Sequence, residues 1–133
     1  MAASFPLRIL TPARTLFQGD VEHVQAPGSE GSFGVLARHA PLVAALGTGR
    51  LSFDDRSGQR QLATSGGFVE VAADGVTVLA ETAEFAQEID VPRAQAARDR
   101  ARERLRQRDS IDVSRAQAAL ARALTRLRVA AGA

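Results

Sequence analysis

A chain of 133 residues and 14.1 kDa makes one ordinary domain, or a small domain with an appendage. Its 45% hydrophobic and 24% charged residues are those of a soluble globular chain, and at this length about two-thirds of the unfolded surface can be buried without covalent staples. The absence of cysteine excludes disulfides, thiolate metal sites and thiol nucleophiles, and two histidines, His23 and His39, are too few for a histidine-rich metal centre. No apolar run approaches the roughly 18 residues of a membrane span. Met1–Pro6 has neither a basic nor an apolar leader region, so a bacterial cytoplasmic protein is the expectation.

The net charge is only +2, yet the isoelectric point is about 10.8. All seventeen basic residues are Arg. Without lysines to titrate near pH 10, any slight basic excess drives that number up. Distribution is more informative. Residues 1–89 hold six Arg and ten acidic residues, a net of −4, whereas residues 90–128 hold eleven Arg and five acidic residues, a net of +6.

The first part is punctuated every eight to twelve residues by Gly, Pro or polar turns, which predicts an all-β domain. In chain order, short strands are expected over Leu7–Leu10, Thr15–Phe17, Val21–Ala26, Gly31–Leu36, Val43–Leu46, Arg50–Asp54, Arg60–Thr64, Phe68–Ala72 and Val76–Ala80. Turns are expected at Thr11-Pro12, Gln18-Gly19, Pro27-Gly28, Asp55–Gly58, Ser65-Gly66-Gly67 and Ala73-Asp74-Gly75. The last joins two apolar runs and reads as a hairpin. Eight to ten short strands in this length form a sandwich or small barrel.

Composition changes near Glu84–Glu88. Ten of eleven Gly, four of five Pro and all six Phe precede residue 86, and twelve Ala follow between Ala94 and Ala133. This divides the chain into a β domain over 1–86 and a helical segment over 87–133. Asp90 is the expected N-cap of a first helix, with Pro92 in its first turn, and an apolar stripe of Val91, Ala94, Ala97, Ala101 and Leu105. Gln107-Arg108-Asp109-Ser110 interrupts the pattern. A second helix capped near Asp112–Ser114 carries Val113, Ala116, Leu120, Ala123, Leu124 and Leu127. So short a link makes the helices antiparallel neighbours. A stripe rich in Ala buries little apolar surface, so the hairpin is expected to be held weakly and to be able to detach.

No catalytic grouping is suggested. There is no GxGxxG, GxxxxGK[ST] or HExxH, and no Ser/His/acid spacing. Asp54-Asp55 sits beside a turn, and His39 sits in a loop. Arginine is the informative residue. Arg93, Arg100 and Arg104 run along one flank of the first helix, and Arg122 and Arg126 lie one turn apart on the second. In an antiparallel hairpin turning near residue 110, Arg93 comes level with Arg126 and Arg100 with Arg122. Guanidinium groups at matching heights either surround a phosphate, which their forked donors suit, or form a solvated face paired with Asp99 and Glu103. Nucleic-acid binding is disfavoured, because no aromatic follows Phe85 to stack on bases and the first part is acidic.

Four blocks carry a family resemblance. They are Gly28–Leu42 (GSEGSFGVLARHAPL), Ser65–Val71 with Val76–Ala80 (SGGFVEV and VTVLA), Ile89–Ala94 (IDVPRA) and Ala123–Val129 (ALTRLRV). In this order and register, across essentially the whole chain, they resemble the epsilon subunit of bacterial F-type ATP synthases. The resemblance implies a β-sandwich followed by an antiparallel two-helix hairpin.

It further implies a non-catalytic central-stalk subunit at the cytoplasmic face of the bacterial inner membrane, touching the membrane only through its complex. The sandwich would bind the gamma subunit and rest on the c-ring through the segment containing Glu30, Ser32, Arg38, His39 and Pro41. Ser32 stands where the family often has an acidic residue, and Arg38 where it often has Gly. The hairpin would be regulatory, extending at times to meet the alpha and beta subunits and block ATP hydrolysis. Ile89-Asp90-Val91-Pro92-Arg93-Ala94 matches the I/L-D-x-x-R-A motif of ATP-binding members, and Glu84, Arg100, Arg122 and Arg126 match further positions of that site. ATP, with or without Mg2+, is then a regulatory ligand, and no cofactor is required. A free-standing ATP-binding module outside any rotary complex is the alternative.

Overall fold

The structure, a computed structural model, describes residues 3–107 and 112–132. The apolar alternations of the first part become eight strands: β1 (Phe5–Leu10), β2 (Thr15–Val21), β3 (His23–Gly28), β4 (Gly31–Leu36), β5 (Leu42–Ala45), β6 (Gly49–Asp55), β7 (Gly58–Ala72) and β8 (Gly75–Phe85). A single 3-10 turn, Ala86–Glu88, leads into helices α1 (Val91–Arg106) and α2 (Val113–Ala130).

The strands are hydrogen-bonded in the order β2-β1-β8-β7-β6-β3-β4, and β5 joins through β7. β7 and β8 are long enough to serve two layers. The first half of β7 pairs with β6, placing Leu62 opposite Leu51, and its second half pairs with β5, placing Val69 opposite Ala44. β8 runs antiparallel to β7 throughout and parallel to β1 over Val76–Leu79. Alternate side chains of both layers point inward. Leu7, Ile9, Val24, Leu51, Phe53, Leu62, Val69 and Val78 are fully buried there in one core. Phe17 lies tilted against Phe53, ring centroids 4.4 Å apart.

Ser65-Gly66-Gly67 is not the turn expected from its composition. It is a kink within a continuous β7, so Arg60–Thr64 and Phe68–Ala72 belong to one strand. Ser65 stays opposite Thr82 and Gly67 opposite Ala80, while Gly66 and Gly67 take φ of +69° and +107°. A Cβ on Gly67 would overlap the Leu79 carbonyl oxygen. Only glycine lets the backbones approach so closely while the strand passes from one layer to the other. Three smaller corrections follow the same logic of pairing over local propensity. Gln18-Gly19 lies inside β2, Pro27-Gly28 ends β3 with the turn on Ser29-Glu30, and β8 continues past Ala80 to Phe85. The turns at Asp55–Gly58 and Ala73-Asp74 stand where the sequence puts them.

Both helix caps are those expected. The Asp90 carboxylate accepts from the Arg93 N–H at 3.1 Å, and Asp112 does the same for Arg115 at 3.1 Å. The break expected at Gln107–Ser110 lies, from residue 108 on, outside the described residues. Ala94 and Ala101 of α1 and Ala116 and Ala123 of α2 are buried, whereas Val91 is exposed and Leu120, Leu124 and Leu127 are half-buried. Burial on α2 continues instead through Thr125 and Val129, outside the expected stripe.

α2 lies on β6 and β7, and α1 packs on α2. The outward side chains beneath α2 are small: Ser52 and Ala63 are both buried. The joint between the two parts is a minor cluster of Ala63, Ile89 and Val129, flanked by Ala86 and Ala130. Burying Ile89 and Val129 contributes about 1.5–3 kcal/mol each, a modest hold for two helices. The opposite outer face stays uncovered. Phe68 and Leu79 are register partners there, 57% and 51% exposed, with Val43 nearby at 67%.

If the kink depends on the missing Cβ, Gly67→Ala destabilises the sandwich by about 2–4 kcal/mol, whereas Ser65→Ala costs less than about 1 kcal/mol. Urea unfolding followed by circular dichroism distinguishes the two.

Candidate functional site

A cleft of about 600 Å³ opens between the helical hairpin and the outer face of the sandwich. Its size falls within the range of small-molecule sites. Its floor is small and apolar, from Ala97, Ala101, Ala116, Ala119 and Ala123. β7 and β8 supply the hydroxyls of Thr64, Ser65 and Thr82 with the carboxylates of Glu81 and Glu84. Six arginines converge on it: Arg93, Arg100 and Arg104 from α1, Arg122 and Arg126 from α2, and Arg14 from the β1–β2 connection.

The helical spacing thus brings together the arginines expected from each helix. Asp99 and Glu103 do not neutralise them: Asp99 pairs with Arg98 at 3.0 Å and Glu103 with Arg106 at 3.0 Å. Among the described residues, no carboxylate forms an ion pair with Arg93, Arg100, Arg104 or Arg122. An anion seated between so many cations would relieve their repulsion.

Two arginines are already held. Arg126 donates from Nε to Glu84 Oε1 at 2.6 Å and from Nη2 to Oε2 at 3.2 Å. Arg14 grips Glu88 in the same forked manner, at 2.8 and 2.9 Å, and Glu88 Oε1 also accepts from the Phe85 N–H at 2.9 Å. The hydrogen bonds from Arg14, then that from Phe85, hold the Glu88 carboxyl below the usual range, and the same contact raises Arg14. Arg14 was not singled out from the sequence. Its partner lies 74 residues away, and no local spacing links them.

Of the eight expected ligand residues, Glu84, Arg93, Arg100, Arg122 and Arg126 line the cleft. The other three do structural work in this conformation. Ile89 is buried in the joint, Asp90 caps α1, and Ala94 is fully buried on α1. Arg104, noted on the same helical flank, lines the cleft as well.

The second expected segment is not gathered into one patch. Glu30 occupies the β3–β4 turn, and Ser32 is the second residue of β4, its hydroxyl accepting from Gln25 Nε2 at 2.7 Å. Arg38, His39 and Pro41 follow the other end of β4. Strand β4, six residues long and roughly 17 Å from first to last at about 3.3 Å per residue, lies between the Glu30 turn and the Arg38 corner. Arg38 has a φ of +66°, in the left-handed region that glycine adopts without strain. The His39 N–H donates to the Leu36 carbonyl at 3.2 Å, and the Leu36 side chain stands 61% exposed beside this corner.

Comparison with known proteins agrees with both parts. Residues 4–86 match the ATP synthase Delta/Epsilon chain beta-sandwich domain, and residues 87–131 match the Delta/Epsilon chain long alpha-helix domain. The ATP synthase epsilon chain of Syntrophomonas wolfei is 48% identical over 104 residues, 77% of this chain and 76% of that one. The chain belongs to the ATP synthase epsilon-chain family. That of Pelotomaculum thermopropionicum is 50% identical over 99 residues, 74% of each chain. Among solved structures, a chain of the Euglena gracilis mitochondrial ATP synthase, in its OSCP/F1/c-ring assembly, superposes with a TM-score of 0.77 at 27% identity. That match covers 91% of this chain and 78% of the other. A chain from the central stalk and c-ring of the Tetrahymena thermophila enzyme shares the fold alone, with a TM-score of 0.55 at 14% identity over 68% of this chain and 71% of its own.

The Arg14–Glu88 pair makes the joint acid-sensitive. Because the folded-state pKa of Glu88 is lowered, its stabilisation is present above the ordinary glutamate range and is lost as pH falls through the folded value. Glu88→Gln removes that share. Thermal melts across pH 3 to 7 should show the wild type losing more stability on acidification than the variant.

Proposed function

We propose that this chain is a non-catalytic rotor subunit of a proton-translocating F-type ATP synthase, whose helical hairpin senses ATP. Membership of the epsilon-chain family supports the first half of the reading. The two outer faces support a division of labour. One carries the hairpin, and the other presents Phe68, Leu79 and Val43 to solvent, an apolar patch of the kind that marks a protein interface. The gamma subunit is the proposed partner of that patch. The Leu36–Pro41 corner and the Glu30 turn are the proposed approaches to the c-ring. No helix among the described residues is long and apolar enough to cross a membrane, so attachment at the cytoplasmic face would run through the complex.

The observation that carries the second half is the cleft itself. Four arginines that find no carboxylate among the described residues face a floor of alanines between the hairpin and the sandwich. A nucleoside triphosphate would bridge the two helices and the sandwich, adding to the docked state a hold that the small apolar joint lacks. Bound only by the docked form, ATP stabilises it by RT ln(1 + [L]/Kd). Low ATP would release the hairpin, whose surplus of arginine then favours acidic surfaces on the alpha and beta subunits, blocking hydrolysis. Mg2+ would enter with the nucleotide, and no resident cofactor is needed. Only such differential contacts can shift the equilibrium.

Two experiments test the reading. Co-expressed with gamma, the wild-type chain should co-purify, and Phe68→Asp should weaken the complex at least tenfold, in line with loss of about 1.4 kcal/mol or more at a central apolar anchor. A free-standing module would fail to capture gamma at all. In calorimetry, ATP should bind at micromolar to low-millimolar concentrations, ADP more weakly, and an Arg93→Ala, Arg122→Ala double variant not measurably. Retained binding in that variant would exclude the cleft. The pair is preferred to Arg126, whose loss would also undo a contact between α2 and β8.

A further inference from the structure

We infer that the uncovered outer face of the sandwich is self-complementary and closes a two-fold dimer of the isolated chain. Strand register sets its outward side chains in two neighbouring rows. One row is apolar, with Leu10, Leu79 and Phe68 side by side on β1, β8 and β7. The next row is polar and runs Arg8, Thr77, Glu70 across the same three strands. Gln18 of β2 stands at one end of that row and Val43 of β5 at the other. Arg8 and Glu70 are both exposed and lie two strands apart, roughly 10 Å at about 4.8 Å per strand. Arg8 donates to the Thr77 hydroxyl at 3.5 Å. Among the described residues, neither Arg8 nor Glu70 forms an ion pair.

A half-turn about an axis along β8 exchanges the two sides of the face and keeps each row in place. Arg8 of one copy then faces Glu70 of the second, and Glu70 faces Arg8. The apolar row falls on its own image, Leu79 on Leu79 and Leu10 on Phe68, and Gln18 meets Val43 at the rim. β8 of one copy runs along β8 of the other, within the aligned class of sheet packing. An interface of this kind requires one patch to match itself. A half-turn about an axis across the strands, through the polar row, would instead set Arg8 on Arg8 and Glu70 on Glu70. The charges therefore select one arrangement, while the apolar row supplies its adhesion. That row is one side chain deep, so the dimer is reversible, with a Kd in the micromolar range or above. This pairing is independent of the gamma reading, yet the two partners exclude each other, because both cover Phe68 and Leu79. A second copy would shield the face of a chain that has not been assembled.

Sedimentation equilibrium of the full-length chain over a concentration series tests the pairing. The wild type should pass reversibly from monomer to dimer. Each substitution occurs twice in a two-fold interface, so Arg8→Glu or Glu70→Arg alone brings two like-charged pairs together. Either should weaken the dimer about tenfold. The Arg8→Glu, Glu70→Arg double variant reverses the order of charges, remains self-complementary and should dimerise as the wild type does. The two single variants, each weak alone, should pair with one another when mixed. A wild type that stays monomeric up to millimolar concentration overturns the inference. So does a dimer that the single variants leave unchanged, or one that the double variant fails to restore. A chain that stays monomeric yet captures gamma sinks the self-pairing alone, and a dimer that never captures gamma sinks only the gamma reading.

Discussion

Two strands, β7 and β8, take part in both layers of the sandwich, and their pairing, interrupted only at Gly66, ties one outer face of the molecule to the other. The face under α2 and the face bearing Phe68 and Leu79 are successive stretches of the same two strands, separated by the Gly66-Gly67 kink. A partner that grips the uncovered face therefore holds the same strands that carry Glu84 and the cleft wall. Close-packed strands transmit displacement poorly as bending but well as rigid movement. In the proposed rotor role, the hairpin would change position relative to a base that turns as one body.

Adhesion of the hairpin balances small terms. The apolar joint offers two sizeable side chains, Ile89 and Val129, with the Glu84–Arg126 pair beside them. Opposing this are several like charges around one opening. So modest a hold is what the proposed exchange of one surface for another would need, since a deep core under α2 would fix it in place. Ser52 and Ala63 leave space for a helix to settle without giving it much to grip.

Much of this was legible in the sequence. The alternations, the Ala73-Asp74-Gly75 hairpin, the Asp90 and Asp112 caps and the convergence of helical arginines all follow from local rules of period and capping. What escaped was non-local. Ser65-Gly66-Gly67 has the composition of a turn, and only the close approach of β8 makes it a kink. Arg14 and Glu88 meet across most of the chain length, so no spacing announces them. Ile89, Asp90 and Ala94 sit in the matching hexapeptide, yet their side chains serve the joint, a cap and helix packing. A motif records which residues recur together, and proximity in sequence does not direct every one of them toward the same cavity.

The alanine seam of Ala94, Ala101, Ala116 and Ala123 would have a further consequence for a hairpin released as proposed. Many proteins that detach a segment expose a sticky, leucine-rich underside and risk precipitation or capture by chaperones. Here the sizeable apolar groups at the joint are two, Ile89 and Val129, and much of the seam between the helices is alanine. If the hairpin detaches as proposed, the small apolar area uncovered would limit irreversible association over repeated cycles.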